Sequence, residues 1–238
     1  PIYIENADPF AFQNELFSNL LGREVEIFKK TEPVMKIENG QAEFLLSQGN
    51  PEDILYGYVD SWITELQLFI DGTYRCNYAT WLSEKVFSAG YGSQDHTVTL
   101  TNYTGTEQEI FPHFYFLDMD VFQEVIEELK NKEMHTEIFE DGYVKGTYES
   151  GSEGYLLLSV PYDEGWSASV NGEKVEIQRG ANALSLIPVS AGINEIELHY
   201  HVPGIKMGIV LSVIGVLLFV GMCQTEKYFC RPGRRKNG

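Results

Sequence analysis

Nineteen consecutive residues near the C-terminus, IKMGIVLSVIGVLLFVGMC from Ile205 to Cys223, carry a single charge, Lys206 at the margin. As an α-helix this run extends about 28 Å at about 1.5 Å per residue, close to the roughly 30 Å hydrocarbon thickness of a bilayer. A buried helix of a soluble core is the competing reading, but such a helix is seldom apolar on every side. Lys227, Arg231, Arg234, Arg235 and Lys236 follow directly, the charge pattern of a cytoplasmic flank. The sequence therefore predicts a transmembrane helix over 205–223, a basic cytoplasmic tail over 224–238, and residues 1–204 outside the membrane. Lys206 can snorkel to the headgroups. Gly208, Ser212 and Gly215 share one stripe of the span, where another helix backbone could approach closely.

The formal charge of −18 hides an asymmetry, because the basic residues crowd at the C-terminal end. Setting aside Lys206, the five basic residues of the tail and Glu226 leaves 11 basic against 34 acidic side chains, or −23, on residues 1–204. Such a surface repels polyanions at long range, which excludes nucleic acid as a partner. Teichoic-acid-like polymers would need a cation bridge or a local basic pocket. Of the three cysteines, Cys76, Cys223 and Cys230, only Cys76 lies in the long acidic region. No intramolecular disulfide can form there, so stability must come from packing. The chain opens at Pro1 with neither an initiator Met nor a signal peptide, and reads as the C-terminal piece of a larger membrane protein.

Residues 1–204 are expected to be mostly β. A first helix is predicted from Asp8 as N-cap and Pro9 at the first helical position, with Phe12, Leu16 and Leu20 as its apolar face and Gly22 as its stop. From Val25 to Leu117 short alternating or aromatic runs such as AEFLL, HTVTLTNY and PHFYFL are separated by Gly, Asn and Asp, the pattern of an antiparallel sandwich or jelly roll. Asp118 then caps a second helix with Val121, Phe122, Val125, Ile126 and Leu129 on one face, and Glu124, Glu127, Glu128 and Lys130 on a solvated one.

Beyond that helix GYLLLSV, residues 154–160, is apolar on both faces and is expected to be a central strand. WSASV alternates ahead of Asn171-Gly172, a type I′ hairpin signal. The last strand turns Ile196, Leu198, Tyr200 and Val202 one way, and Glu195, Glu197, His199 and His201 the other. The expected organisation is an N-terminal helix and first sandwich-like unit over 1–117, a connecting helix over 118–134 and a second sandwich-like unit over 135–204. The linker from that unit to the span is short enough to seat it on the bilayer surface.

Three constellations could carry chemistry. Glu197, His199 and His201 alternate on one strand face, as metal ligands can, but a plain solvated face accounts for all of them. Ser93, Asp95 and His96 in GYGSQDH lack the G-x-S-x-G spacing and read as a turn. Tyr162, Asp163 and Trp166 could form a sugar platform, the rings stacking on a pyranose while the carboxylate accepts hydroxyl hydrogens. Aromatic rings fill cores equally well, and Pro161 and Gly165 look like a bend that sets Trp166 against the sheet, so the structural role is favoured. There is no Gly-rich phosphate loop, CxxC or HExxH. Neither a catalytic residue nor a cofactor is expected in this segment.

The run LLLSVPYDEGWSASVNGEKVEI, followed by AGINEIELHYHVPG and an apolar helix, resembles the C-terminal end of the YfhO family of bacterial multi-pass membrane proteins. DPFAFQNELFSNLLG resembles the start of that family's last large extracytoplasmic region. The resemblance implies a parent similar to the GT-C glycosyltransferases of the bacterial plasma membrane, which take sugars from polyprenyl-phosphate carriers and here would act on cell-envelope glycopolymers. Its catalytic carboxylates, and a divalent metal if the reaction uses one, would lie outside this segment. The segment's expected partners are then the lipid bilayer and the parent's other transmembrane helices. The rival reading is a single-pass carbohydrate-binding or adhesion module without catalysis.

Overall fold

The computed structural model describes residues 8–38, 41–59, 66–78, 86–102 and 112–229, the last six by backbone alone. The side chains of the expected basic tail, Cys230 included, lie outside the described residues. Among the described residues the fold is mostly β, in antiparallel sheets, with three helices, of which the C-terminal one can span a membrane. Two compact units divide it: one comprises the residues up to Glu133 with Gly180–Asn182, the other the remainder from Met134.

The described residues of the first unit open with α1 (Pro9–Leu21) and continue through β1 (Phe28–Thr31), β2 (Val34–Glu38), β3 (Gln41–Leu46), β4 (Ile54–Val59), β5 (Leu66–Ile70), β6 (Thr73–Tyr78), β7 (Val86–Tyr91), β8 (His96–Asn102) and β9 (Pro112–Leu117). They close with α2 (Met119–Lys130). One sheet runs β1-β9-β4-β7 and the other β2-β3-β8-β5-β6. Between them Phe44, Leu55, Leu68, Phe87, Leu100 and Phe114 form a core. The first sheet is also covered on its other face, where Phe10 of α1 and Val125 of α2 pack with Phe28, Tyr58, Tyr115 and Leu117. That double coverage is why β4 and β9 are apolar at successive positions.

Asp8 caps α1 by accepting from the Phe10 and Ala11 amides at 2.9 and 3.1 Å, and Gly22 ends it at φ 68°, as expected. The packed stripe differs from the expected one. Phe10 is buried in the core cluster with Phe17 and Leu21 packed against it, whereas Phe12, Leu16 and Leu20, half-buried as Phe17 and Leu21 are, lie off that cluster. The helix is turned by Asn14 and Ser18, which lie on or beside that stripe. Asn14 bonds the amide and carbonyl of Phe28 at 2.9 and 2.8 Å, and Ser18 bonds those of Val25 at 2.8 and 3.1 Å. In α2 the acidic face is partly engaged, because Arg23 donates to Glu124 and Glu128 at 3.1 Å each.

The second unit contains β10 (His135–Glu140), β11 (Tyr143–Ser150), β12 (Gly154–Pro161), β13 (Trp166–Val170), β14 (Glu173–Val175), β15 (Gln178–Gly180), β16 (Leu184–Val189), β17 (Gly192–Tyr200) and α3 (Ile205–Phe229). A five-stranded sheet, β10-β11-β17-β13-β14, faces a three-stranded one, β12-β16-β15. Val144, Leu156, Ala168, Ile187, Ile196 and Leu198 lie between them. Asn171 and Gly172 take φ 53° and 79° with Val170 opposite Glu173, the expected type I′ hairpin. The expected central strand β12 is an edge strand. Its outward Tyr155 is exposed, and the centre of that sheet belongs to β16. On β17 the inward face includes buried Asn194, whose amide nitrogen donates to Ser190 and Gly192 carbonyls at 2.8 and 3.0 Å while its oxygen accepts from the Ser190 amide at 2.9 Å.

Candidate functional site

The segment from Pro161 to Gly165, between β12 and β13, is fixed by backbone bonds at both ends. The Tyr162 amide donates to the Ala183 carbonyl and the His201 amide to the Gly165 carbonyl, each at 2.8 Å. The Asp163 carboxylate accepts from the Gly165 amide at 2.7 Å, closing an Asx turn. Gly165 is required by space. A Cβ there would lie 2.5 Å from Cε2 of Tyr200 and 2.7 Å from the His201 carbonyl oxygen.

This bend sets the Trp166 ring against Tyr200, centroids 5.1 Å apart at 56°, and against the core beside Val175 and Ile177. Trp166 is half-buried, and the rest of its surface lines an open cleft of about 710 Å³. Tyr162, Asp163 and Glu164 form one side of this cleft, with Lys174, Glu176, His201 and Pro203 also on its walls. The Arg179 guanidinium sits 4.8 Å from the centre of the Tyr162 ring, a cation–π contact. Burial raises the Tyr200 phenol, and the adjacent Asp163 carboxylate, to which it hydrogen-bonds, raises it further. Tyr162, Asp163 and Trp166 are thus brought together, with Trp166 both packed and presented.

Glu197, His199 and His201 are not brought together. β17 ends at Tyr200, so His201 leaves the strand and turns into the cleft. Lys145 of β11 bonds both Glu195 and Glu197, and these bonds, in that order, raise its ammonium well above the usual range. His199 stacks on Tyr143 at 4.6 Å and keeps its Nε2 3.9 Å from Glu197. Among the described residues no group of three or more His, Cys, Asp or Glu is placed to hold a metal ion.

Ser93 and Asp95 lie in the turn between β7 and β8, where Asp95 accepts from the Gln48 amide at 2.7 Å. His96 is buried instead between Asp71, 2.9 Å from Nδ1, and the Tyr91 carbonyl, 2.8 Å from Nε2. Burial tends to raise the Asp71 carboxyl, but bonds from the Thr97 amide and His96 more than offset it and hold the group below its ordinary value. Gly90 makes room for the ring, since a Cβ there would meet His96 at 2.7 Å. No local motif flags this pair, because its partners stand 25 residues apart. A second open cleft, about 680 Å³, lies between β6 and β7, with Arg75 and the exposed Cys76 on its rim. Burial raises the Cys76 thiol.

Comparisons with known proteins agree with the sequence. The family described as Bacterial membrane protein YfhO matches residues 6–212, a stretch that runs through both β units and into α3. The "Uncharacterized protein YfhO" of Bacillus subtilis (strain 168) is 30% identical over 81 residues, covering 34% of this chain and 9% of that protein. A conserved protein of unknown function from Pseudomonas aeruginosa PAO1 aligns at 11% identity over 74% of this chain and 85% of its own, with a TM-score of 0.22. A cupin 2 conserved barrel domain protein from Leptotrichia buccalis aligns at 12% identity over 84% and 98%, with a TM-score of 0.18. Both structural likenesses are too slight to argue from.

Proposed function

The chain belongs to the YfhO family of bacterial membrane proteins, and from that premise we propose that it is the extracytoplasmic accessory module and membrane anchor of a multi-pass glycosyltransferase. The parent takes sugar from a polyprenyl-phosphate carrier and adds it to a cell-envelope glycopolymer. Residues 1–204 face outward, and the basic residues that follow the 205–223 span face the cytoplasm. The observation that carries this reading is the family match, continuous across both β units and into an apolar helix exposed along its whole span. One further feature supports it. The second β unit joins the helix through only four residues, His201 to Gly204.

Transfer from a lipid phosphate needs a positioned base for the acceptor hydroxyl and charge stabilisation at the departing phosphate. The module supplies neither and contributes the acceptor side of a site whose reacting groups lie elsewhere in the parent. The test is a complementation assay with the whole protein. Neutralising carboxylates in its early extracytoplasmic loops is expected to abolish transfer, while replacing His199 and His201 by Ala retains part of it. Transfer of sugar from a polyprenyl-phosphate donor by this purified chain alone would overturn the reading.

A further inference from the structure

We infer that the cleft between Tyr162, Trp166 and His201 is a binding site for an uncharged sugar headgroup attached to the bilayer. The inference deepens the proposed function and rests on it only for the side of the membrane the cleft faces. Position is the first argument. Pro203 lines the cleft and α3 begins at Ile205, so at most about 7 Å of chain separates the cleft wall from the first residue of the span. A ligand in the cleft is at headgroup depth, and one held by the membrane meets it at a high effective concentration.

Chemistry is the second argument. Two aromatic rings, Tyr162 and Trp166, offer apolar surface of the kind that stacks on the CH face of a pyranose. Around them stand the carboxylates Asp163, Glu164 and Glu176, with Lys174 as the ammonium group on the wall. Carboxylates accept hydrogen bonds from hydroxyls, and these charge-assisted bonds are about twice as strong as neutral ones. The same three carboxylates repel a phosphate brought to within a few ångströms, so the cleft selects the sugar and turns the phosphate of a charged lipid away.

Rigidity is the third argument. The 161–165 bend is held by the bonds to Ala183, Asp163 and His201 before any ligand arrives, which removes much of the ordering cost of binding. The Arg179 guanidinium, 4.8 Å from the centre of the Tyr162 ring, also holds that ring.

The test uses the whole chain, labelled with 5-fluorotryptophan and reconstituted in phosphatidylcholine nanodiscs, which expose both membrane faces and make the outcome independent of orientation. Trp62, Trp81 and Trp166 give separate fluorine signals, the last assigned with Trp166→Phe. Glucosyl-diacylglycerol added to the bilayer is expected to shift the Trp166 signal alone and saturably, with methyl glucoside in solution producing the same shift only at much higher concentration. Glu164→Gln should weaken the apparent affinity about tenfold, as a charge-assisted bond becomes a neutral one. The parent and the variant should share one melting temperature, since Glu164 is exposed. Three results would each overturn the site: no saturable shift with the glycolipid, an equal shift with phosphatidylglycerol, or an unchanged affinity in Glu164→Gln. A response to methyl glucoside but not to the glycolipid would overturn the bilayer-attached ligand.

Discussion

Replacing Gly165 by Ala is expected to unfasten the end of β17 from the cleft. The added Cβ would stand 2.7 Å from the His201 carbonyl oxygen and 2.5 Å from the Tyr200 ring, each well inside van der Waals contact. The ring can tilt, but the carbonyl belongs to the chain that leads into α3. Relief therefore requires the bend and the strand end to separate by several tenths of an ångström. Overpacking of this kind costs about 1–3 kcal/mol, and loss of the 2.8 Å bond from the His201 amide to the Gly165 carbonyl adds about 1 kcal/mol. Together these come to about 2–4 kcal/mol, or about thirty- to eight-hundred-fold in an opening equilibrium. Amide hydrogen exchange on the chain cut before Ile205 reads this directly. Protection should fall by that factor in β13 and β17, and should be unchanged at Val98 and Leu100 of the other unit. Gly151→Ala, where a Cβ meets nothing within 4 Å, is the control and should change protection little. Protection in β17 within about twofold of the parent would refute the close-approach argument.

Three further outcomes are expected. Because the folded state holds the Asp71 carboxyl below its ordinary value of 3.8, its contribution to stability is complete above that pH and is lost as pH falls through the lower folded value; urea midpoints of the parent and Asp71→Asn should converge as pH drops from 5 to 2, and a constant gap would contradict the linkage. Asn194→Ala leaves the Ser190 amide and neighbouring carbonyls without a buried partner, which should destabilise the second unit by about 1–3 kcal/mol, and a urea midpoint matching the parent would show that the side chain does not hold that turn. In single-Cys variants on intact cells, a membrane-impermeant maleimide should label the exposed Cys76, more rapidly as pH rises toward its elevated pKa; labelling of Cys230 without permeabilisation would reverse the proposed orientation.

What the sequence discloses is governed by how local each determinant is. The caps of α1 and the Asn171-Gly172 hairpin depend on a few adjacent residues whose φ preferences and side-chain acceptors act on their own backbone. The alternation of β17 is legible for the same reason, since Ile196 and Leu198 face one core whatever strand lies alongside. The face of α1 is not legible, because counting apolar residues favours Phe12, Leu16 and Leu20, whereas Asn14 and Ser18 turn the helix by bonding the Val25–Phe28 backbone. The apolar run of β12 likewise reports its composition but not its place at a sheet edge, which depends on where β15 and β16 pair.

The same distinction separates the two candidate sites. Tyr162, Asp163 and Trp166 lie within five residues, so a single bend places them, and Gly165 is legible as the residue that permits it. The Glu197, His199 and His201 set needs a strand that continues past Tyr200 and neighbours that leave its outer face free. The tight approach of Gly165 to Tyr200 and His201 coincides with the end of that strand, and β11 supplies Lys145 and Tyr143 to engage Glu197 and His199. The contact that fixes the aromatic cleft also diverts His201 into it. A Gly165 variant that forces the bend away from β17 therefore tests both placements, since it should loosen the Trp166 ring and free His201 together.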